Sequence, residues 1–353
     1  MARRIGILTG GGDAPGLNAV IRAVVKYGVG KLGWELYGIE DSFNGLMERP
    51  FRVAQLTPVS CKGLLQRGGT ILGTTNHGDP FAFPDGSGHD SDRSVEVKRA
   101  MDELGLEGLI VLGGDGTQKI ARELMEHHGV AVVGVPKTID NDLGATDITF
   151  GFQSAVDCVT DALDRLHSTA ESHDRVILLE VMGRNAGFIA LHGGIAGGAD
   201  AIMIPEIPWQ AERLVQKIDE RRAIGRPFSL FVVAEGAYPA GEREPGTKLV
   251  PGSASQQVAA AILAARPKVD LRITVLGHLQ RGGSPVAFDR VLATRMGVGA
   301  VDLVEAGRWG ELVCLLDGRV VGRPMAAAET NRVVDPDGEL VRAARATGVE
   351  FGG

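Results

Sequence analysis

Short apolar runs recur along the chain and alternate with longer amphipathic stretches, and this alternation constrains the fold more than any other feature of the sequence. Apolar runs of about four to eight residues flanked by Gly or Pro are typical of strands buried on both faces. Helix-like patterns lie between several runs, for example at 17–25 and 95–104. The alternation predicts βαβ units and an α/β fold with a mainly parallel sheet, in which ligands bind at the carboxyl ends of the strands. The runs lie at residues 5–8, 36–39, 109–112, 130–135, 176–181, 201–204, 230–233, 273–276 and 312–316.

The composition narrows the class of protein. The 353 residues suggest two domains, since a domain usually has roughly 100–200 residues. A net charge of −7 argues against general affinity for nucleic acid or acidic membranes, so an anionic ligand would depend on local cations and backbone amides. Three widely spaced cysteines, Cys61, Cys158 and Cys314, indicate a reduced compartment. Because the sequence shows neither a signal peptide nor a membrane-spanning run, we expect a cytoplasmic protein with no membrane partner.

The first glycine-rich segment, residues 9–16 (TGGGDAPG), follows the predicted strand at 5–8. Glycines allow the backbone to approach a phosphate closely, and a helix that follows offers amides at its N-terminus. The segment matches neither the G-x-G-x-x-G fingerprint nor a Walker loop. By itself it is equally compatible with a phosphate cradle and with a tight turn between strand and helix.

A second glycine-rich segment, residues 113–117 (GGDGT), directly follows the predicted strand at 109–112. Its glycines leave room for a phosphate, and Asp115 is a suitable ligand for a Mg²⁺ ion that bridges phosphates. The segment therefore indicates phosphoryl transfer. It does not select one kinase family, because the same five residues also occur in NAD kinases and diacylglycerol kinases.

A third segment, residues 136–142 (PKTIDND), follows the predicted strand at 130–135. In an extended segment Asp140 and Asp142 project to the same side. One carboxylate can act as a general base toward a hydroxyl while the other orients it or serves a metal. An Asp-rich turn is the ordinary explanation of such a segment taken alone, but the preceding GGDGT favours a catalytic role.

These segments and four others occur in an order that resembles the 6-phosphofructokinase family, from about residue 4 to about residue 310. The four others are SHDR at 172–175, EVMGR at 180–184, AEG at 234–236 and LGHLQRGG at 276–283. The resemblance implies an α/β fold with two Rossmann-like three-layer αβα domains and mainly parallel sheets. It also implies a glycolytic kinase that uses Mg²⁺ and transfers a phosphoryl group to the 1-hydroxyl of fructose 6-phosphate, which gives fructose 1,6-bisphosphate.

The resemblance also implies the catalytic and donor-binding residues. Asp140 corresponds to the general base that takes the proton of the sugar hydroxyl, and Arg184 corresponds to the arginine that stabilises the transferring group. Lys137, Thr138 and Asp142 are their neighbours around that group. Asp115 corresponds to the carboxylate associated with Mg²⁺. The residues implied for the donor are Gly12, Asn76, His77, Gly114, Asp115, Gly116 and Thr117.

On the sugar side, the resemblance implies contacts from several segments. Arginines suit a sugar phosphate because a guanidinium group offers planar, charge-assisted donors. In the family a neighbouring subunit supplies the arginines that correspond to Arg175 and Arg272, so a homodimer or a homotetramer is implied. The implied sugar contacts are Thr138, Ile139, Asp140, Arg175, Met182, Gly183, Arg184, Glu235, Arg272, His278, Leu279, Gln280 and Arg281.

Two positions bear on the phosphoryl donor. Pyrophosphate-dependent relatives carry Asp where this chain has Gly116, and a side chain there would occupy the space of the ATP α-phosphate. Lys137 resembles the pyrophosphate-using members. Because a clash excludes a ligand whereas an added lysine only attracts one, we expect ATP to be the donor. One position departs from the family: Asn76 lies where an arginine that contacts donor and sugar is usual, and His77 is a possible substitute.

Three alternatives remain open. A pyrophosphate-dependent enzyme would account for Lys137, and a catalytically silent regulator that binds sugar phosphate would account for Asn76. A lipid or NAD kinase is disfavoured by the GHLQRGG segment. By resemblance, residues 1–138 and about 254–305 form the donor domain, and 139–253 with about 306–353 form the sugar domain, with the site in the cleft. Segments 76–93 and 238–253, which are rich in Gly and Pro, are expected to be surface loops.

Overall fold

The computed structural model describes residues 2–84, 88–242 and 249–353, so parts of both predicted loops, 85–87 and 243–248, lie outside the described residues. A π-helical turn, Val25–Val29, joins the first two helices, and 3₁₀ turns lie at Leu64–Gln66, Gly277–Gln280 and Met325–Glu329. The strands are β1 (Arg4–Thr9), β2 (Glu35–Ile39), β3 (Val53–Leu56), β4 (Phe83–Pro84), β5 (Asp90–Ser91), β6 (Gly108–Gly113), β7 (Val132–Pro136), β8 (Val176–Val181), β9 (Ala201–Met203), β10 (Ser229–Ala234), β11 (Leu271–Val275), β12 (Glu311–Leu316) and β13 (Arg319–Pro324). The α-helices are α1 (Leu17–Val24), α2 (Gly30–Leu32), α3 (Asn44–Met47), α4 (Ser94–Leu104), α5 (Asp115–His128), α6 (Phe152–His173), α7 (Phe188–Ala196), α8 (Ala211–Ala223), α9 (Ser253–Ala265), α10 (Ala287–Glu305) and α11 (Glu339–Ala346).

The chain forms two compact units, which we call the first unit and the second unit. The first unit comprises Met1–Thr138, Leu143–Gln153 and Arg281–Asn331, and the second comprises Ile139–Asp142, Ser154–Gln280 and Arg332–Gly353. These bounds differ from the predicted domains over three segments. The first, residues 143–153, lies in the first unit, where the amide of Asp147 donates to the carbonyl of Leu315 at 2.8 Å. Residues 254–280 lie in the second unit because β11 pairs with β8, and residues 306–331 lie in the first because β12 pairs with β7.

The first unit contains a seven-stranded sheet in the order β13-β12-β7-β6-β1-β2-β3. The five central strands are parallel, and β3 and β13 pair antiparallel at the two edges. Strand β6 shows why apolar runs form this sheet. Ile110 and Leu112 belong to one hydrophobic cluster and Leu109 and Val111 to the other, and all four are fully buried. Alternate side chains thus fill both faces of the sheet, which makes three layers.

The second unit contains a four-stranded, fully parallel sheet in the order β11-β8-β10-β9. Every residue of β8 and β10 is buried, whereas the edge strand β11 is largely exposed. The α/β class with mainly parallel sheets is therefore confirmed. Among the described residues, we find no helix that is both long and apolar enough to cross a membrane.

Candidate active site

In the first unit, the two glycine-rich segments lie next to each other because β1 and β6 are neighbouring parallel strands. The amide of Gly10 donates to the carbonyl of Leu112 at 2.8 Å. Thr117 fills the space between the segments, since a Cβ added at Gly10 would lie 2.6 Å from its Cγ2 and one at Gly113 would lie 2.3 Å from its Cβ. Real Cβ contacts are not so short, so these glycines are required by packing around Thr117. The strand ends therefore form one glycine-lined surface.

A third segment joins this surface. The hydroxyl of Thr74 donates to the carbonyl of Gly11 at 2.5 Å, and the amide of Gly11 donates to the carbonyl of Thr75 at 3.1 Å. These bonds bring the exposed Asn76 beside the loop, where its Oδ1 would lie 4.0 Å from a Cβ at Gly11. His77, also exposed, is fixed through its amide to the Thr75 hydroxyl at 2.9 Å.

Two cationic side chains contact the turn at Gly12 and Asp13. The ammonium group of Lys137, only 3% exposed, donates to the carbonyl of Gly12. The guanidinium group of Arg281 donates to the carbonyl of Asp13 at 3.0 Å. A Cβ at Gly12 would lie 2.7 Å from Arg281 Nη1, so glycine allows this approach. Arg281, which the resemblance implies for the sugar phosphate, thus lies beside the donor loop.

The N-terminus of α5 completes the first-unit group. The helix begins at Asp115, which is half-buried, and the next residue, Gly116, is exposed. The amides of a helix N-terminus and a carboxylate there suit a phosphate with Mg²⁺, which is often held by one carboxylate, water and the phosphates themselves. A Cβ at Gly116 would meet nothing within 4 Å, so the space beside it is open. Over the described ranges, no cluster of three or more His, Cys, Asp or Glu side chains is arranged to hold a metal.

One polar residue in this group was missed by the sequence analysis. The buried side chain of Gln118 donates to the carbonyls of Val111, Gly113 and Val135 at 3.1–3.2 Å. It therefore holds together the ends of β6 and β7, which lead into Gly114 and Lys137. A glutamine on the inner face of an amphipathic helix was the available signal.

In the second unit, the loop after β8 carries Met182, Gly183 and Arg184. Gly183 has φ 144° and Arg184 has φ 53°, a left-handed conformation that is uncommon for arginine. The carboxylate of Glu235 accepts the amides of Arg184 at 2.9 Å and Gly183 at 3.3 Å. Glu235 follows β10, the neighbour of β8, so parallel pairing brings the two strand ends together. The Met182 side chain is half-buried and Arg184 is exposed.

The segment that carries the predicted base also lies in the second unit. Ile139 is fully buried, Asp140 is 3% exposed and Asn141 is 5% exposed. Asn141 has φ 56°, so the backbone turns in a left-handed conformation directly after Asp140. Thr138, the last first-unit residue before it, accepts a 2.7 Å hydrogen bond at its carbonyl from the Thr149 hydroxyl.

Arg175 and Arg272 lie at the opposite end of the same sheet from Arg184. Arg175 directly precedes β8, and Arg272 is the second residue of β11, which pairs with the start of β8. The six residues of β8 separate them from the Arg184 loop by about 20 Å, at roughly 3.3 Å per residue. The second unit of one chain therefore does not bring all the implied sugar contacts together.

Asp270, which the sequence analysis missed, holds both arginines. Its carboxylate pairs with Arg175 at 3.0 Å and with Arg272. The hydrogen bond from Arg175, followed by the charges of both arginines, lowers the pKa of Asp270 against a smaller opposing effect of burial. A carboxylate three residues before the predicted strand at 273–276 was the only signal. Asp270 thus fixes two guanidinium groups side by side at one sheet edge.

The residues after β11 form the 3₁₀ turn Gly277–Gln280. His278 and Leu279 are exposed, whereas Gln280 is buried and its amide donates to the Gly277 carbonyl at 3.2 Å. This turn lies at the carboxyl end of β11, on the same side of the sheet as the Arg184 loop.

The second unit also contains a cavity of about 680 Å³ to which none of the implied residues contributes. Its lining includes Asp200, Arg221 and Arg226, and Asp200 pairs with Arg221 at 2.5 Å. Burial raises the pKa of Asp200 and lowers the pKa of Arg221, so the environment opposes both charges despite the pairing. We assign it no part in the reaction.

Glycine-lined strand ends, a carboxylate at a helix N-terminus, a buried lysine and a half-buried arginine are typical of an α/β protein that binds phosphate groups. Comparison with known proteins gives the family. The family model for phosphofructokinase matches residues 4–304. The chain therefore belongs to the phosphofructokinase family.

Curated relatives match over nearly the whole chain. An ATP-dependent 6-phosphofructokinase of Chloroflexus aggregans is 51% identical over 99% of this chain and 98% of its own length. The ATP-dependent 6-phosphofructokinase 1 of a Synechocystis species is 46% identical with the same coverage.

Solved structures agree on the fold. Phosphofructokinase from Pichia pastoris in the T-state has a TM-score of 0.79 and 32% identity, over 99% of this chain and 37% of that chain. A pyrophosphate-dependent phosphofructokinase from Marinobacter aquaeolei has a TM-score of 0.81 over 99% of this chain and 92% of that chain. At 19% identity, the latter supports the fold alone.

Proposed function

We propose that this chain transfers the γ-phosphoryl group of ATP to the 1-hydroxyl of fructose 6-phosphate, giving fructose 1,6-bisphosphate and ADP. The observation that carries the proposal is the 51% identity over 99% of the chain with an enzyme named for that ATP-dependent reaction. The presence of Asp115, Asp140 and Arg184 in one sequence supports it, because a silent regulator would not need a base and a metal carboxylate.

In this proposal Asp140 accepts the proton of the sugar 1-hydroxyl as the hydroxyl attacks the γ-phosphorus. Arg184 stabilises the charge on the transferring group, with Thr138 and Asp142 beside it. General-base catalysis of this kind contributes roughly 10²–10⁴-fold to a rate. Removing one preorganised donor to developing charge costs about 10²–10³-fold. Glu235 positions Arg184 through its amide and accepts sugar hydroxyls with its remaining capacity.

The donor phosphates are proposed to lie against the loop that contains Gly12 and the N-terminus of α5. Asp115 would hold Mg²⁺, which when bound neutralises phosphate charge and orients the γ-phosphoryl group. The carboxylate at a helix N-terminus beside an open backbone fits this role. Asn76 brings no charge, and Lys137 together with Arg281 supplies positive charge to the same loop.

A second candidate donor is pyrophosphate, which Lys137 favours because a buried ammonium group attracts a small polyanion. ATP remains preferred because the space beside Gly116 is open. The test measures product formation from fructose 6-phosphate and Mg²⁺ with each donor, for the wild type and for Gly116→Asp. We expect turnover of the wild type with ATP alone and loss of at least about tenfold in kcat/KM for ATP in Gly116→Asp, the equivalent of about 1.4 kcal/mol.

Gly116→Asp should not disturb the fold, because a Cβ at Gly116 would meet no atom within 4 Å and its φ is not in the left-handed region. Gly30→Asp is the matched control, since a Cβ there meets only the Val25 carbonyl at 4.0 Å and the same charge is added away from the loop. Turnover of the wild type with pyrophosphate would reverse the donor assignment, and no turnover with either donor would contradict the proposed function.

We further propose that the enzyme is a homodimer or homotetramer in which Arg175 and Arg272 serve the site of a neighbouring subunit. Both arginines lie far from Arg184 in their own sheet, and Asp270 presents them together. The adjoining edge strand β11 exposes apolar side chains, Ile273 at 38% and Val275 at 40%. An exposed apolar edge strand is a natural surface for a second copy. Free cysteines in the described residues support a reduced, cytoplasmic location.

A further inference from the structure

Arg332 contacts the segment that carries Asp140 in two ways. Its guanidinium Nε donates to the carbonyl of Asn141 at 2.7 Å, and its backbone amide donates to the carbonyl of Asp142 at 2.8 Å. All of these residues belong to the second unit. The backbone that follows Asp140 is therefore bound on two successive carbonyls by one residue nearly two hundred positions away in sequence.

This segment needs such support. Asn141 has φ 56° and is 5% exposed, so a non-glycine residue is held in a left-handed conformation inside the unit. Asparagine adopts this region more readily than most residues, and residues in sparsely populated backbone regions persist when their surroundings fix them. The hydrogen bonds from Arg332 act directly on the two residues that follow Asp140, and a change in that backbone would move the Asp140 carboxylate.

Arg332 also contacts the helix that follows the Arg184 loop. Its guanidinium carbon lies 5.1 Å from the ring centroid of Phe188, the first residue of α7. The guanidinium group further lowers the pKa of His192, one turn along α7, after the larger effect of burial. Arg332 is thus close to both segments that carry groups implied for phosphoryl transfer.

A neighbouring carboxylate strengthens the same arrangement. Glu206 Oε1 accepts the amide of Gly187, at the end of the Arg184 loop, at 2.9 Å and the amide of Val334 at 2.8 Å. The segment from Arg332 to Val334 is therefore bonded to the Arg184 loop through Glu206 and to the Asp140 segment through Arg332. Both sets of hydrogen bonds involve residues 332–334, which belong to none of the sequence motifs that carry the family resemblance.

We propose that Arg332 is a positioning residue for phosphoryl transfer, which sets the Asp140 carboxylate by holding the carbonyls of Asn141 and Asp142. This inference rests on the proposed function. Misplacing a reacting group by about 1 Å can cost about 10²-fold in rate. Loss of the Arg332 side chain should therefore act on kcat rather than on substrate binding.

The experiment compares Arg332→Gln and Arg332→Lys with the wild type in steady-state assays with fructose 6-phosphate and ATP. We expect kcat to fall by about 10- to 100-fold in Arg332→Gln, with KM for fructose 6-phosphate changed less than about threefold. Arg332→Lys should keep a higher kcat than Arg332→Gln, because lysine keeps the positive charge but lacks the forked donor. Guanidinium ion added to Arg332→Ala should restore part of its kcat.

Arg345→Gln is the matched control. Arg345 lies in α11 of the same unit, where its guanidinium carbon is 5.5 Å from the Phe351 ring and Nη2 donates to the Gly353 carbonyl at 3.5 Å. The control should keep wild-type kcat, and all variants should melt within a few degrees of the wild type. Unchanged kcat in Arg332→Gln, or loss of kcat that only follows loss of Tm, would overturn the proposal. An inactive wild type would instead contradict the proposed function.

Discussion

At the scale of single residues, one implied functional residue and the neighbour of another have left-handed backbone conformations. Arg184 has φ 53° and Asn141, next to Asp140, has φ 56°. Each is held by charged side chains from other elements, Arg184 by Glu235 and Asn141 by Arg332. Unusual backbone angles that surroundings enforce are common at functional sites. The structure thus provides a physical reason why these loops present their side chains in a fixed direction.

The half-buried His192 makes the stability of the fold depend on pH. Burial lowers its pKa from the ordinary value of 6.5, and the Arg332 charge lowers it further. The folded state therefore binds fewer protons than the unfolded state, so this contribution to stability is complete above pH 6.5 and is lost as the pH falls toward the depressed folded value. We expect His192→Asn to lose less Tm than the wild type between pH 7.5 and 5.5.

The measurement is Tm by calorimetry at several pH values in both proteins, with His167→Asn, a helical histidine of α6, as the comparison. The NMR titration of His192 in Arg332→Gln should also move toward higher pH. A pH dependence of Tm that is the same in wild type and His192→Asn would rule out this contribution.

The functional residues that could be predicted from the sequence are those that belong to short contiguous motifs. Gly116, Asp115 and Asp140 stand in short, dense motifs directly after apolar runs, so their places at strand ends followed from the sheet prediction. Gln118, Glu206, Asp270 and Arg332 could not be predicted in this way. Each acts through backbone groups or partners that are distant in sequence or hidden within an ordinary helix or loop pattern. Their roles require the three-dimensional pairing.

At the scale of elements, each of the nine apolar runs overlaps a strand, and the ends of run and strand agree within two residues. The helical patterns at 17–25 and 95–104 correspond to α1, with its π-helical extension, and to α4. The antiparallel edge strands β3 and β13 were not predicted. The residues of both strands are mostly exposed or half-buried, because edge strands meet solvent on one side. Neither strand therefore has the continuous apolar run on which the prediction depended.

The carboxylate of Glu180 illustrates how an element can be fixed by a buried charge. Glu180 lies within β8 and is 2% exposed. It accepts the amides of Gly252 and Ser255 and the Ser255 hydroxyl, at the N-terminus of α9. Negative charge at a helix N-terminus is favourable, and three donors offset the cost of its burial. A charged residue inside an apolar strand run was a signal for such a contact.

At the scale of the whole molecule, the proposed exchange of arginines between subunits makes a prediction. Asp140→Asn homo-oligomers and Arg175→Ala homo-oligomers should both be nearly inactive. In a mixed dimer, one site combines both defects and the other has an intact base and an intact neighbouring arginine. Random mixing by co-expression should therefore restore about one quarter of wild-type activity.

The measurement is the specific activity of the whole oligomer population after balanced co-expression, purified through one tag that both chains carry, with the two homo-oligomers mixed after purification as the control for slow exchange. Mixed oligomers that are no more active than the homo-oligomers would show that Arg175 does not act on a neighbouring subunit.

The assignment of chain segments to the two units also could not be predicted from the residues alone. The family resemblance indicated interleaved domains, but the pairing of β12 with β7 and of β11 with β8 decides which segment joins which unit. Strand pairing over such sequence separations depends on the complete sheet. Apolar periodicity indicates that a segment is a strand, but it does not indicate which strand pairs with it.

The most direct test of the central claim, ATP-dependent phosphorylation of fructose 6-phosphate with Asp140 as base, is kcat of Asp140→Asn beside the wild type, together with fructose 6-phosphate binding by calorimetry. We predict that kcat with ATP falls by about 10²–10⁴-fold while the dissociation constant for the sugar changes little. Undiminished turnover by Asp140→Asn would contradict the account.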